Sequence, residues 1–120
     1  MSSSPDDTTL PLQRVTADFA VAPQLAPESM AAVAKAGFRS VINNRPDFEG
    51  GPTQPTGARM AEAAAAAGLA YAHQPVASAV QTPDDIARFS QLLDELPAPI
   101  LAFCRSGTRS GRLYQLARPR

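Results

Sequence analysis

Short apolar runs alternate along this chain with stretches in which apolar residues recur every three or four positions. Phe19-Ala20-Val21-Ala22 is an unbroken apolar run that ends at Pro23, and it reads as a strand. Leu12 to Val15 is a shorter candidate strand ahead of it. Ala26-Pro27-Glu28 looks like a helix entrance with proline early in the first turn. Met30, Val33 and Ala34 then share one face, and Gly37 is the stop. Phe38 to Ile42 predicts a central strand despite Arg39 and Ser40. After a Gly- and Pro-rich loop, Glu49 to Pro55, Thr56 can cap a helix packed through Met60, Ala63, Ala64 and Ala67. Its alanine run has high helix propensity, and Gly68 ends it.

Leu69 to Tyr71 opens another strand that continues toward Pro75. Pro83 to Leu96 predicts the most clearly amphipathic helix, with Ile86, Phe89, Leu92, Leu93 and Leu96 as its buried stripe. Asp84 and Asp85 suit its amino end. Pro97-Ala98-Pro99 breaks it. Ile100-Leu101-Ala102-Phe103 is a second unbroken apolar strand. A last helix begins within Thr108 to Ser110, carries Leu113, Tyr114, Leu116 and Ala117, and ends at Pro119. Alternating strand and helix signals predict a single compact α/β domain of three layers around a mainly parallel central sheet. Residues 1–10 are expected to be a flexible lead, and residues 11–120 the domain.

Composition narrows the functional classes. The chain has 120 residues and is 44% apolar, enough for one sizeable core. Formal net charge is zero and no basic block occurs, so nothing points to a nucleic-acid partner. One cysteine and one histidine exclude an internal disulfide and a cysteine/histidine zinc cluster, and no metal or cofactor is implied. Met1 to Thr9 lacks the basic start and apolar core of a secretory signal, and Pro27 to Ala34 is too short to span a membrane. The expectation is a cytoplasmic protein without membrane attachment, which suits a free thiol. The sequence leaves oligomeric state open.

The candidate chemistry sits after the strand Ile100 to Phe103. Cys104 follows at its carboxyl end, where ligands bind in α/β sheets, and Arg105-Ser106-Gly107-Thr108-Arg109-Ser110 lead into the last helix. A run of backbone N–H groups entering a helix cradles anions. That cradle, with two arginines, is expected to favour a Cys104 thiolate. A lone cysteine is usually a small buried hydrophobe, but such a residue has no need of this particular loop. Asn43-Asn44-Arg45-Pro46-Asp47 leaves its own strand near the same sheet edge. Its residues suit a turn, while Asn44 and Arg45 also suit the wall of a site. Asp47 is not assigned a catalytic role. His73 reads as structural. No acid occurs in Val76 to Val80 or anywhere before Asp84 on this stretch.

The segment Cys104 to Ser110 resembles the active-site loop of rhodanese-like sulfurtransferases. It also resembles the cysteine-phosphatase loop, but four residues rather than five separate Cys104 from Arg109. Together with Asp18 to Gln24 and Gly37 to Asp47, it is similar to the phosphatase-like domain of beta-lactamase-hydrolase-like proteins over about Leu12 to Ala117. The resemblance implies a cysteine-phosphatase-like topology.

The shortened loop should wrap a smaller centre than a full phosphatase loop, which favours sulfur transfer. On this expectation Cys104 becomes a persulfide and passes the outer sulfur to a thiol or another small nucleophile. Arg105 and Arg109 stabilise the anionic donor, and Ser106, Gly107, Thr108 and Ser110 surround the added sulfur. The resemblance implies a role in sulfide detoxification and a persulfide oxygenase as partner. Two alternatives stand beside it: a phosphatase acting through a phosphocysteine, and a noncatalytic anion-binding or redox module.

Overall fold

Four short segments become parallel strands of one sheet. In the computed structural model, which describes residues 10–118, these are β2 (Phe19–Ala22), β3 (Ser40–Asn43), β4 (Ala70–His73) and β5 (Ile100–Phe103). β1 (Gln13–Thr16) adds an antiparallel edge, giving the order β1-β2-β5-β3-β4. The two unbroken apolar runs, β2 and β5, lie side by side, and β5 occupies the centre. Every residue of β2, β5 and β3 is buried, as expected for strands covered on both faces.

Alternation along the strands divides the core. Ala20, Ala22, Val41, Leu101 and Phe103 face one helical layer, while Phe19, Val21, Ile42, Ile100 and Ala102 face the other. The first layer is α1 (Met30–Lys35), entered through a 3-10 turn at Pro27–Ser29, and α2 (Gly57–Ala66). Met30, Val33, Met60 and Ala64 supply its buried contacts. The second layer is α3 (Pro83–Glu95) and α4 (Thr108–Ala117), packed through Phe89, Leu92 and Leu113. The mixed, mostly parallel sheet thus lies between two helical layers, as the sequence pattern predicts.

Local signals account for most boundaries. Gly37 leaves α1 at φ +103°, a conformation that glycine adopts without steric cost. Thr56 caps α2 by accepting the Arg59 N–H at 3.1 Å. Thr82 and Asp85 close a capping box on α3, so Asp85 serves the helix end. The strand predicted from Phe38 begins only at Ser40, because Phe38 packs into the core ahead of the ladder and exposed Arg39 bridges to Pro99 through its backbone. The flexible lead and the helix stop at Pro119 involve residues 1–9 and 119–120, outside the described residues.

Phe19 is the aromatic hinge of the α3/α4 layer. Its ring stacks on Tyr114 at 4.2 Å and meets Phe89 edge-on at 6.1 Å. Phe19→Ala should destabilise the protein by about 3–5 kcal/mol in urea unfolding. A loss below about 1 kcal/mol would show that this cluster does not anchor the layer.

Candidate active site

The parallel register aligns the carboxyl ends of four strands. Ala22 pairs with Phe103, Phe103 with Asn43, and Asn43 with His73. Cys104, Asn44 and Gln74 therefore leave the sheet together on one edge. A cavity of about 420 Å³ opens there, bordered by Cys104, Arg105, Ser106, Thr108, Arg109 and Arg112 from the β5–α4 segment. Glu49, Ser78, Ala79 and Gln81 complete its walls.

Cys104 is only 1% exposed, yet it borders this cleft rather than being sealed in the core. Its Sγ accepts the Gly107 N–H at 3.0 Å. Gly107 turns the loop at φ +92°, with the position of its missing Cβ 3.4 Å from the Ala22 backbone. A side chain there would force a left-handed backbone on an L-residue. The turn folds the chain over the sulfur and starts α4 with a cap residue that has no side chain to offer its first N–H groups. Exposed Ser106 and Thr108 bond each other through their hydroxyls at 3.1 Å.

Arg109 reaches back under the loop. Its Nη1 donates to the carbonyls of Val76 at 2.9 Å and Asn44 at 3.4 Å. Its Nη2 donates to Glu49 Oε1 at 3.1 Å, while its Nε is buried with no hydrogen-bond partner. A guanidinium on a residue only 7% exposed, with one donor unpaired, is costly unless a ligand acceptor reaches it. The same Glu49 oxygen accepts Arg45 Nε at 2.9 Å. Burial alone would raise the Glu49 carboxyl's pKa, but hydrogen bonds from Arg109 and Arg45, with their charges, outweigh it and hold the pKa below the ordinary 4.5.

Asn44 and Arg45 sit beside the cleft without bordering it. Asn44 is fully buried, accepts the Ser110 hydroxyl at 2.8 Å and donates to the Gln74 carbonyl at 3.1 Å. It clasps β3, the exit of β4 and α4 together. Arg45 braces Glu49 and donates to Gln24 Oε1 at 3.1 Å. His73 donates from Nε2 to the Arg45 carbonyl at 2.9 Å, and its ring packs where a Gly57 Cβ would stand. Asp47 accepts the Gly57 N–H at 2.7 Å at the start of α2. The structure thus brings Cys104, Arg105, Ser106, Thr108 and Arg109 to one cleft, with Gly107 bonded to the sulfur. Ser110, Asn44 and Arg45 stand behind them.

Glu49 is one of the residues that sequence reasoning missed. It follows Arg45 by four positions, but in a loop that spacing carries no contact signal. The loop is shaped by buried Gln54, which accepts the Gly50 N–H at 2.6 Å and donates to the Pro46 carbonyl at 2.8 Å. Arg112, one helical turn after Thr108, was also missed as a wall of the cleft.

Residues 11–119 match the sequence profile of the beta-lactamase hydrolase-like protein, phosphatase-like domain. A beta-lactamase hydrolase-like protein of Agrobacterium fabrum is 44% identical over 80 residues, covering 67% of this chain and 18% of the relative. One from Xylella fastidiosa is 42% identical over 84 residues, covering 70% and 19%. This chain spans about a fifth of the length of the curated relatives it matches. Among solved structures, two bacterial proteins each called a "putative phosphatase" superpose with TM-score 0.78. The protein from Neisseria meningitidis is 32% identical, with 84% of this chain and 71% of that one covered. The protein from Shewanella putrefaciens is 18% identical, with 94% and 74% covered. Tk-PTP shares the fold at TM-score 0.72 and 17% identity, with 92% and 76% covered.

These likenesses overturn the expectation of sulfur transfer. The solved structures this chain resembles are described as phosphatases, not as sulfurtransferases. The loop-length argument failed for a physical reason. One residue fewer between Cys104 and Arg109 does not make the site small, because Glu49, Ser78, Ala79 and Gln81 from other loops set its width. A cavity of about 420 Å³ lies in the ordinary range for small organic ligands. The sulfur donor, thiol acceptor and persulfide oxygenase partner belonged to that expectation and are not carried further. Among the described residues no helix is long and apolar enough to cross a membrane.

Glu49 gives the site a pH signature. Its pKa is lowered in the folded protein, so its stabilisation is complete above the unfolded value near 4.5 and is lost as pH falls through the folded value. Between about pH 6 and about pH 3, the unfolding free energy of the wild type should fall more than that of Glu49→Gln. Equal falls in urea titrations of the two proteins would show that the Arg45–Glu49–Arg109 contacts add nothing to stability.

Proposed function

We propose, for a chain that belongs to the phosphatase-like domain family of beta-lactamase hydrolase-like proteins, that it hydrolyses phosphomonoesters through a phosphocysteine on Cys104. The observation that carries this reading is the buried, unpartnered Nε of Arg109, a residue that borders the same cleft as Cys104. An uncompensated donor on a buried cation, beside a nucleophile, fits an oxyanion that arrives with the substrate.

In the first step the Cys104 sulfur attacks phosphorus. An S–P bond forms, the P–O bond to the leaving group breaks, and the departing oxygen takes the electron pair. In the second step water attacks phosphorus, the S–P bond breaks, and inorganic phosphate and the thiolate are released. Arg109 Nε donates to one phosphoryl oxygen, and its planar guanidinium is oriented by Glu49 and the carbonyls of Asn44 and Val76. The Gly107 N–H and the amino end of α4 stabilise negative charge at the sulfur and phosphoryl group. Arg105 and Arg112 draw the dianion into the cleft. Ser106 and Thr108 offer hydroxyls at its rim. Asn44, Arg45 and Ser110 are positioning residues. Glu49 is held ionised by two arginines and so is a poor proton donor, which favours esters whose alcohol is acidic, phenols above all.

The test is a steady-state assay of the reduced protein on phenyl phosphate, with intact mass after acid quench. A phosphoryl adduct should appear on Cys104 and phosphate should be released. Cys104→Ser should abolish both, and Arg109→Lys should lower kcat/KM by about 10²- to 10³-fold. Phosphate release that survives Cys104→Ser would sink the reading. So would sulfur transfer from thiosulfate by a protein that releases no phosphate.

A further inference from the structure

The cleft over Cys104 is larger and more charged than a phosphoryl group requires. Its volume of about 420 Å³ leaves room for the rest of a small molecule. Of the residues that border it, only Ala79 has a purely apolar side chain. The part of a substrate that does not react therefore lies among polar groups. Three of them are guanidiniums, from Arg105, Arg109 and Arg112. Among the described residues Glu49 is the one carboxylate on the cleft, and it already bonds Arg45 and Arg109.

The three arginines divide by depth. Arg109 is 7% exposed, is bonded to protein through both Nη atoms, and shares the cleft with a cysteine that is 1% exposed. Arg105 and Arg112 are exposed. Among the described residues, neither makes an ion pair or a side-chain hydrogen bond. Their backbones are nonetheless fixed. The Arg105 carbonyl accepts the Gln24 N–H at 3.2 Å. Arg112 stands on α4, three residues and about 4.5 Å of helix rise beyond Arg109. Long-range attraction of a phosphoryl dianion uses the charge of the outer two arginines and leaves their donors to water.

Helix energetics alone disfavours this placement. The amino end of a helix carries partial positive charge, and like charges three residues apart repel. α3 obeys that rule by opening on Asp84 and Asp85. α4 has no acid anywhere along Thr108–Ala117, and it carries Arg109 and Arg112 in its first two turns with Arg105 just ahead. A departure of this kind from local preference is expected at a functional site, where a ligand supplies the missing charge.

We propose that Arg105 and Arg112 bind a second anionic group of the substrate, so that the substrate class is a small phosphomonoester that also carries a carboxylate or a second phosphoryl-type group. The inference rests on the phosphatase reading of the Cys104 cleft and makes these two arginines specificity-determining. A guanidinium fork takes either anion in the same bidentate geometry.

Three aryl phosphates of similar leaving-group acidity read the site: 4-(carboxymethyl)phenyl phosphate, 4-(phosphonomethyl)phenyl phosphate and the neutral 4-(carbamoylmethyl)phenyl phosphate. At low salt the wild type should prefer at least one anionic ester over the amide by about fivefold or more in kcat/KM. The larger ratio identifies which anion the site takes. The preference should shrink as ionic strength rises, because exposed charges are screened. Arg105→Gln and Arg112→Gln should slow all three esters and bring the ratio toward one, while Arg112→Lys should keep most of it. Arg39→Gln removes an exposed charge at the amino end of β3, away from the cleft, and should leave the ratio unchanged. No anionic preference in the wild type, a preference that survives both glutamines together, or an equal loss of preference in Arg39→Gln would overturn the second anion site. Binding separates the two claims. Calorimetry of the carboxymethyl, phosphonomethyl and carbamoylmethyl esters with Cys104→Ser, alone and combined with Arg112→Gln, reads the site without turnover. Binding selective for the anionic esters and dependent on Arg112, with no hydrolysis by the wild type, would sink the phosphatase reading and keep the site. Hydrolysis of all three esters at equal kcat/KM would do the reverse.

Discussion

A buried guanidinium must be neutralised and hydrogen-bonded where it lies, and Arg109 imposes that requirement on the carboxyl edge of the sheet. Its partners come from three segments: Glu49 from the loop after β3, the Asn44 carbonyl at the end of β3, and the Val76 carbonyl after β4. Arg109 is buried while Glu49 keeps contact with solvent, so screening weakens the ion pair but leaves Arg109 dependent on its partners. The loops are therefore tied to one another through a single side chain. Glu49 extends the tie to Arg45, and Arg45 extends it to Gln24 after β2. Asn44 repeats the pattern with neutral groups, bonding Ser110 and the Gln74 carbonyl from a fully buried position. Among the described residues Arg109 Nε and Gln74 Oε1 are the buried side-chain atoms left without a partner, and Arg109 borders the same cleft as Cys104.

The cleft exists because parallel strands in register end together and their loops diverge around Cys104. The cap of α4, Gly107, folds the cysteine loop against Ala22.

The loop of four residues between Cys104 and Arg109 shows the limit of arguing site size from spacing. Chain separation governs where the arginine's Cα can be. It does not govern the facing walls, Glu49, Ser78, Ala79 and Gln81, which belong to loops far away in sequence. Glu49 is sixty residues from Arg109, and Val76 is thirty-three. Nothing in the residue types around Glu49 distinguishes it from an ordinary solvated acid, and its meaning arises only when β3 and β5 pair.

Much of the architecture is nonetheless written locally. The runs Phe19 to Ala22 and Ile100 to Phe103 became strands with those bounds, since four consecutive apolar residues flanked by proline or a polar turn fit a doubly covered strand. Thr56 and the Pro83-Asp84-Asp85 opening marked helix starts because capping is a contact between near neighbours. Cys104 and Arg109 were legible as a pair because one short turn carries both. The partners of Arg109, His73 and Asp47 were not legible. The sequence by itself determined what depends on neighbours in the chain: the periodicity of each element, its caps, and the loop that carries the sulfur. Only the tertiary structure decided which distant carboxylate meets which cation, and how much room surrounds the sulfur, because those contacts depend on strand order and register.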